Sequence, residues 1–158
     1  VSSGPGIMVF LHGVLSAHEL MARTEILLEI YSMQINIEAE TTLNIAKRQI
    51  LPSCCEYAAR LGNAAVAISS AGVNADTQTK MLKKVCGLIT ELETGIEALE
   101  EATAKAAATE GSEKHAGSCR ADVIPAMNVV RAAADALEII VDADLWPLPT
   151  YAEMLFMR

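Results

Sequence analysis

The residues best suited to chemistry in this 158-residue chain are three histidines, four cysteines and scattered glutamates. Carboxylate-bridged metal bundles use Glu-x-x-His pairs, but none of His12, His18 and His115 lies three residues after a glutamate. Neither a GxxxxGK[ST] loop nor a GxGxxG motif is present. We therefore predict neither a metal site nor a nucleotide site, and interpret the histidines as surface residues.

Possible nucleophiles follow Pro52 directly, as Ser53, Cys54 and Cys55. No histidine is paired with them at a known catalytic spacing, so we interpret all three as buried small residues. The four cysteines form no C-x-x-C motif. We interpret all four as a reduced set of small core residues, which predicts a cytoplasmic protein.

One carboxylate, Glu38, lies one helical turn from Ile35 and Thr42 in an otherwise apolar stripe. A buried carboxylate requires a partner, and Arg131 and Arg23 are candidates. Alternatively, Glu38 reaches solvent at the edge of the stripe. The sequence leaves both possibilities open, and neither is catalytic.

The net charge of −8 argues against nucleic acid or an anionic membrane as a partner. A hydrophobic content of 52% indicates a globular protein. No apolar run is long enough to span a membrane, and the apolar stretch Ile7–Leu15 lacks the flanks of a signal peptide. We expect residues 1–15 to be a tag remnant or a linker to an upstream part.

Helix signals dominate from Ser16 onward. Ser16 and Glu19 are spaced as a capping box, and a helix is predicted from there to Leu51, where Pro52 ends or kinks it. This helix is apolar on two sides, which is typical of a central helix or of one covered by a partner. One side is formed by Ile26, Ile30, Met33 and Ile37, and the other by Leu28, Tyr31 and Ile35.

Two later segments have apolar residues at alternating spacings of three and four, from Leu82 to Ala106 and from Val123 to Val141. Gly72 is a predicted C-cap, with Asn74 or Asp76 capping the next helix, and Ser112 is a predicted cap after the second segment. Gly87 and Gly95 either permit close helix approach or occupy tolerant surface positions.

These patterns predict an all-α fold, an elongated antiparallel bundle of long helices with an extended, Pro-containing C-terminal tail. We expect residues 16–142 to form the bundle and residues 143–158 to form a docking tail. Pro147 and Pro149 fix an extended path for the tail, and Trp146 and Tyr151 are among its apolar anchors. The tail is expected to dock onto the bundle or onto a neighbouring domain.

Three stretches together resemble the C-terminal region of type III glutamine synthetases: "ELMARTEILLEIYSMQINIEAETTLNIAKRQILP" (residues 19–52), "RADVIPAMNVVRAAADALEIIVD" (residues 120–142) and "LWPLPTYAEMLF" (residues 145–156). They occur in the family's order, and W-P-x-P-T-Y is a rare string. Thr24, where the family has an aromatic residue, and Ser53–Cys55 depart from the family's pattern.

The resemblance implies that the parent enzyme joins glutamate and ammonia with ATP and Mg or Mn. Its catalytic residues are expected upstream, so none is assigned here. This chain is then a non-catalytic structural and assembly module. Its expected partners are the upstream catalytic domain and other subunits of a homo-oligomer.

The helical pattern alone fits two other classes. A free-standing adaptor would bind a partner helix through an exposed face, but the tail string does not favour that class. A metal-storing or redox bundle is disfavoured by the missing Glu-x-x-His pairs.

Overall fold

The computed structural model describes residues 15–149 and 154–155, and the regular structure in these ranges is helical, with no strand. The predicted all-α bundle is therefore confirmed. Within the described ranges, no helix combines the length and the apolar character needed to cross a membrane. The helices are α1 (Ala17–Ile45), α2 (Leu51–Ser70), α3 (Asp76–Ala107), α4 (Ser112–Ser118) and α5 (Ile124–Glu138).

Helix α1 begins at the predicted capping box. The Glu19 amide donates to the Ser16 hydroxyl at 3.2 Å, and the Ser16 amide donates to the Glu19 carboxylate at 2.8 Å. Two amides that lack partners within the helix are thereby satisfied. The Ser16 hydrogen bonds lower the pKa of the Glu19 carboxyl.

Two short π-helical segments precede the prolines of this bundle. Ala46–Ile50 joins α1 to α2 before Pro52, and Cys119–Val123 joins α4 to α5 before Pro125. In each case the amide of the residue before proline bonds to a carbonyl five residues back: Leu51 to Ala46, and Ile124 to Cys119. A proline lacks an amide hydrogen and its ring crowds the carbonyl four residues earlier. The wider turn fits the ring, so the helical path continues through Pro52 rather than ending there.

The turn between α2 and α3 follows the prediction at Gly72. This glycine has a φ of 75°, its amide donates to the Ser69 carbonyl, and the Val73 amide donates to the Ile68 carbonyl. This pair of hydrogen bonds is a Schellman motif. The Asn74 side chain then accepts from the Asp76 amide at 2.8 Å. The N-cap of α3 is Ala75, which forms no side-chain cap bond, so the predicted cap at Asn74 or Asp76 is wrong.

The predicted cap at Ser112 is wrong. Gly111, with a φ of 90°, precedes the helix, Ser112 is its first residue, and no side-chain cap bond forms. The glycine supplies the left-handed conformation that the turn requires, so the backbone rather than a hydroxyl sets the start of α4.

Helix α3 is central and packs against α2 and α5. Its heptad positions are buried or half-buried throughout, which confirms the predicted pattern. Leu92 and Leu99 are fully buried there and meet a core that includes Val130 and Leu137 of α5. Burial of these apolar side chains is the main stabilising contribution to the bundle.

Gly95 and Gly87 on α3 differ in role. A Cβ atom at Gly95 would lie 3.3 Å from Val129 Cγ1 and 3.5 Å from the Val130 Cα, whereas a Cβ at Gly87 would meet nothing within 4 Å. Gly95 therefore permits the close approach of α3 and α5, and Gly87 occupies a tolerant surface position.

Candidate docking surface

Helix α1 leaves one of its two apolar sides uncovered. Ile26, Ile30, Met33 and Ile37, named here the α1 stripe, are between 49% and 58% exposed. Their spacing of four, three and four residues places them along one face of the helix. An exposed row of four large apolar side chains is a candidate interaction surface.

The opposite side of α1 holds the helix in place. Ile35 is buried, and Tyr31 packs against the core cluster. Ser32 is also buried, and its hydroxyl donates to the Leu28 carbonyl at 2.9 Å. The stripe is therefore presented by a helix whose other face is anchored.

The surroundings of the stripe are acidic. Helix α1 contains five glutamates and one arginine, Arg23. Glu29 and Glu40 lie about 50° to 70° to one side of the stripe by helical geometry, and both are exposed. This flank carries negative charge without a cation on the same side of the helix.

A cavity of about 270 Å³ adjoins the acidic flank, between α1 and the start of α4. It is lined by Glu29, Ser32, Met33, Asn36, Ile37, Glu40, Ser112 and His115. Within the described part of the chain, the buried Nε2 of His115 has no hydrogen-bond partner. The cavity therefore combines carboxylate, amide and imidazole groups next to the α1 stripe.

Glu38 and Arg131 line a second groove, of about 640 Å³, between α1 and α5. Glu38 is exposed and accepts a hydrogen bond from Gln34 at 3.2 Å, while Arg131 lies 3.7 Å from Asp135. No ion pair joins Glu38 to Arg131 or Arg23 among the described residues. Of the two possibilities left open by the sequence, the structure shows the solvent-facing one.

The first half of the tail lies against the bundle. Trp146 and Leu148 are half-buried and pack against the core cluster. The amide of Trp146 donates to the Asp142 carbonyl at 3.0 Å, and the side chain of Asp142 lies 3.8 Å from Arg60 of α2. Pro147 is half-buried and Pro149 is exposed. Tyr151, the other predicted anchor, lies outside the described residues.

The cysteines fall into two groups, and all four are free. Cys54 and Cys119 are fully buried, as predicted, but Cys55 and Cys86 are exposed, so the interpretation of these two as core residues is wrong. Burial, with a smaller contribution from Cys55, raises the pKa of Cys54 to about 11. Burial also raises the pKa of Cys119.

We expect two thiols of the native chain to react rapidly with an aromatic disulfide reagent at pH 8, and two to react only on unfolding. The thiolate is the reactive form, and Cys54 and Cys119 are both shielded and protonated at that pH. Stopped-flow absorbance gives the amplitudes. Cys86→Ala should halve the rapid phase and Cys54→Ala should leave it unchanged. Four thiols reacting at one rate would contradict the burial pattern.

The described residues contain no group of three or more histidine, cysteine, aspartate or glutamate side chains placed to hold a metal ion. The most prominent candidate feature of the described residues is the exposed apolar α1 stripe on an all-α bundle.

Comparison with known proteins shows which proteins this chain is similar to. Residues 7–69 match the family described as the glutamine synthetase C-terminal domain. The chain is 31% identical over 152 residues to a type-3 glutamine synthetase of Dictyostelium discoideum, covering 92% of this chain and 20% of the relative. It is 26% identical over 146 residues to a glutamine synthetase of Bacteroides fragilis (strain YCH46), covering 89% of this chain and 20% of the relative.

A glutamine synthetase of Butyrivibrio fibrisolvens is 29% identical over 147 residues, covering 92% of this chain and 21% of the relative. The chain is therefore similar to the glutamine synthetase C-terminal domain over residues 7–69 and to type-3 glutamine synthetase over most of its own length. It spans about a fifth of the length of the relatives that it matches.

Proposed function

We propose that this chain is the non-catalytic C-terminal helical module of a type 3 glutamine synthetase and that it acts in packing and assembly. The observation that carries the proposal is the α1 stripe, an exposed apolar row on a helix anchored from its other side. Such a surface is stabilised when another protein surface covers it. The correspondence with the C-terminal region of glutamine synthetases supplies the context.

The partners proposed are the catalytic domain upstream and other subunits of a homo-oligomer. ATP and Mg or Mn would bind to that catalytic domain rather than to this chain. The four free cysteines support a reducing compartment, and we propose the cytoplasm.

The decisive experiment measures the mass of the native gene product in its source cell, with an antibody raised against this chain. We expect a band several times larger than 16.8 kDa, because the chain spans about a fifth of its relatives. The 158-residue chain alone should form no glutamine from glutamate, ammonia and ATP. Deleting its coding region from the full gene should change the number of subunits in the native enzyme, measured as the native mass divided by the mass of the shortened subunit.

Either of two results would overturn the proposal: a native product near 16.8 kDa, or glutamine formation by the chain alone. The first result would favour the adaptor, a free-standing protein that binds a partner helix. The α1 stripe supports that alternative as well, because its heptad spacing suits a helix.

A further inference from the structure

We propose that the α1 stripe and the adjoining cavity dock an amphipathic helix that carries an apolar heptad face and a lysine or arginine that enters the cavity. The inference rests on the proposed function and deepens it by stating the chemistry of the partner. It combines two observations, the exposed stripe and the acidic cavity between α1 and α4.

The stripe determines the shape of the occupant. Four large side chains at spacings of four, three and four residues cover about three turns of helix. A second helix laid along this row can insert its own residues between them as knobs into holes. A strand would contact the same row less completely, because its side chains alternate at a spacing of two.

The cavity determines the charge of the occupant. Met33 and Ile37 belong to both the stripe and the cavity lining, so a side chain from a helix on the stripe can reach the cavity. Glu29 and Glu40 supply carboxylates, and His115 Nε2 lacks a partner in the described structure. A cationic side chain is long enough to keep its stem on apolar surface while its charge reaches the carboxylates.

A second copy of α1 is disfavoured as the occupant. Pairing two copies would bring together ten glutamates and two arginines, twice the five and one of a single α1. Like charges beside an interface oppose association. Charge complementarity therefore favours a basic partner over self-association.

Binding of synthetic helices to the 158-residue chain tests the proposal. The probe is a fluorescent peptide of about four heptads with Ile at positions a and d and Lys at positions e and g. A matched peptide has Glu at e and g. Fluorescence anisotropy should show at least about tenfold tighter binding of the lysine peptide at low salt, and the difference should shrink at high salt.

Two substitutions locate the binding site. Ile30→Asp in the stripe should weaken binding at least about tenfold. Ile139→Asp, at an exposed position directly after α5, should change the affinity less than about twofold. The double variant Glu29→Gln, Glu40→Gln should remove the preference for lysine. Circular dichroism of each variant checks that the fold is retained.

Equal affinity for the two peptides, or an equal effect of the two isoleucine substitutions, would overturn the inference. A chain that dimerises through the stripe at the assay concentration, shown by light scattering and abolished by Ile30→Asp, would also overturn it. These outcomes are independent of the mass of the native gene product. Failure of the inference is therefore distinguishable from failure of the proposed function.

Discussion

Leu92→Ala is expected to lower the free energy of unfolding by about 3 to 4 kcal/mol. Leu92 is fully buried in the middle of α3, the helix that contacts both α2 and α5. Removal of its side chain loses the transfer free energy of the buried carbons and leaves a cavity between packed helices, which close only partly around it.

Leu27→Ala is the matched control, since it makes the same chemical change at a position that is 66% exposed on α1. We expect it to change the unfolding free energy by less than about 0.5 kcal/mol. Urea unfolding followed by circular dichroism, with Trp146 fluorescence as a second probe, measures both variants. Similar losses for Leu92→Ala and Leu27→Ala would contradict the placement of α3 at the centre.

Gly95→Leu is expected to destabilise the bundle by about 2 kcal/mol or more. Even a Cβ at Gly95 would press on Val129 and on the backbone of Val130, and a leucine extends further into α5. The helices would have to separate, which would disturb neighbouring contacts such as those of Ile96 and Val130.

Gly87→Leu is expected to stabilise the protein instead, and to raise its free energy of unfolding by about 0.5 to 1 kcal/mol. It replaces an exposed glycine of the same helix with a residue of higher helix propensity, and a Cβ there meets no neighbour. The same urea unfolding experiment compares the two variants. If both stabilised the protein, the close approach of α3 and α5 at Gly95 would be refuted.

Local signals in the sequence were sufficient for much of the fold. The Ser16–Glu19 capping box and the Gly72 C-cap each depend on residues within one helical turn, so short sequence patterns specify them. The heptad pattern of α3 is also readable, because one face of that helix is consistently apolar.

Features that depend on contacts between helices were harder to predict. The sequence has apolar residues on two faces of α1, which predicts that both faces are covered. It does not show which of the two faces packs against the core. The structure places Tyr31 and Ile35 inward and leaves Ile30 and Met33 outside. The cavity at His115 was missed because α4, a short helix far along the chain, supplies one wall.

The roles of Gly87 and Gly95 show the same limit. Both glycines cost helix propensity to the same extent, so the sequence left their roles undecided. The position of α5 decides their roles, because Gly95 lies in close contact with α5 whereas Gly87 faces open space.

The π segments can absorb a change of one residue without turning one helix against the next. Ala46–Ile50 contains one residue more than a regular α-helical turn would hold. Deletion of Gln49 would leave four residues, which make about one regular turn at about 100° per residue. Cys54 and Leu61 would then stay in the core, but the Pro52 ring would crowd the carbonyl four residues earlier. A deletion within the regular part of α2 has no wide turn to absorb it, so it would rotate the residues that follow by about 100°.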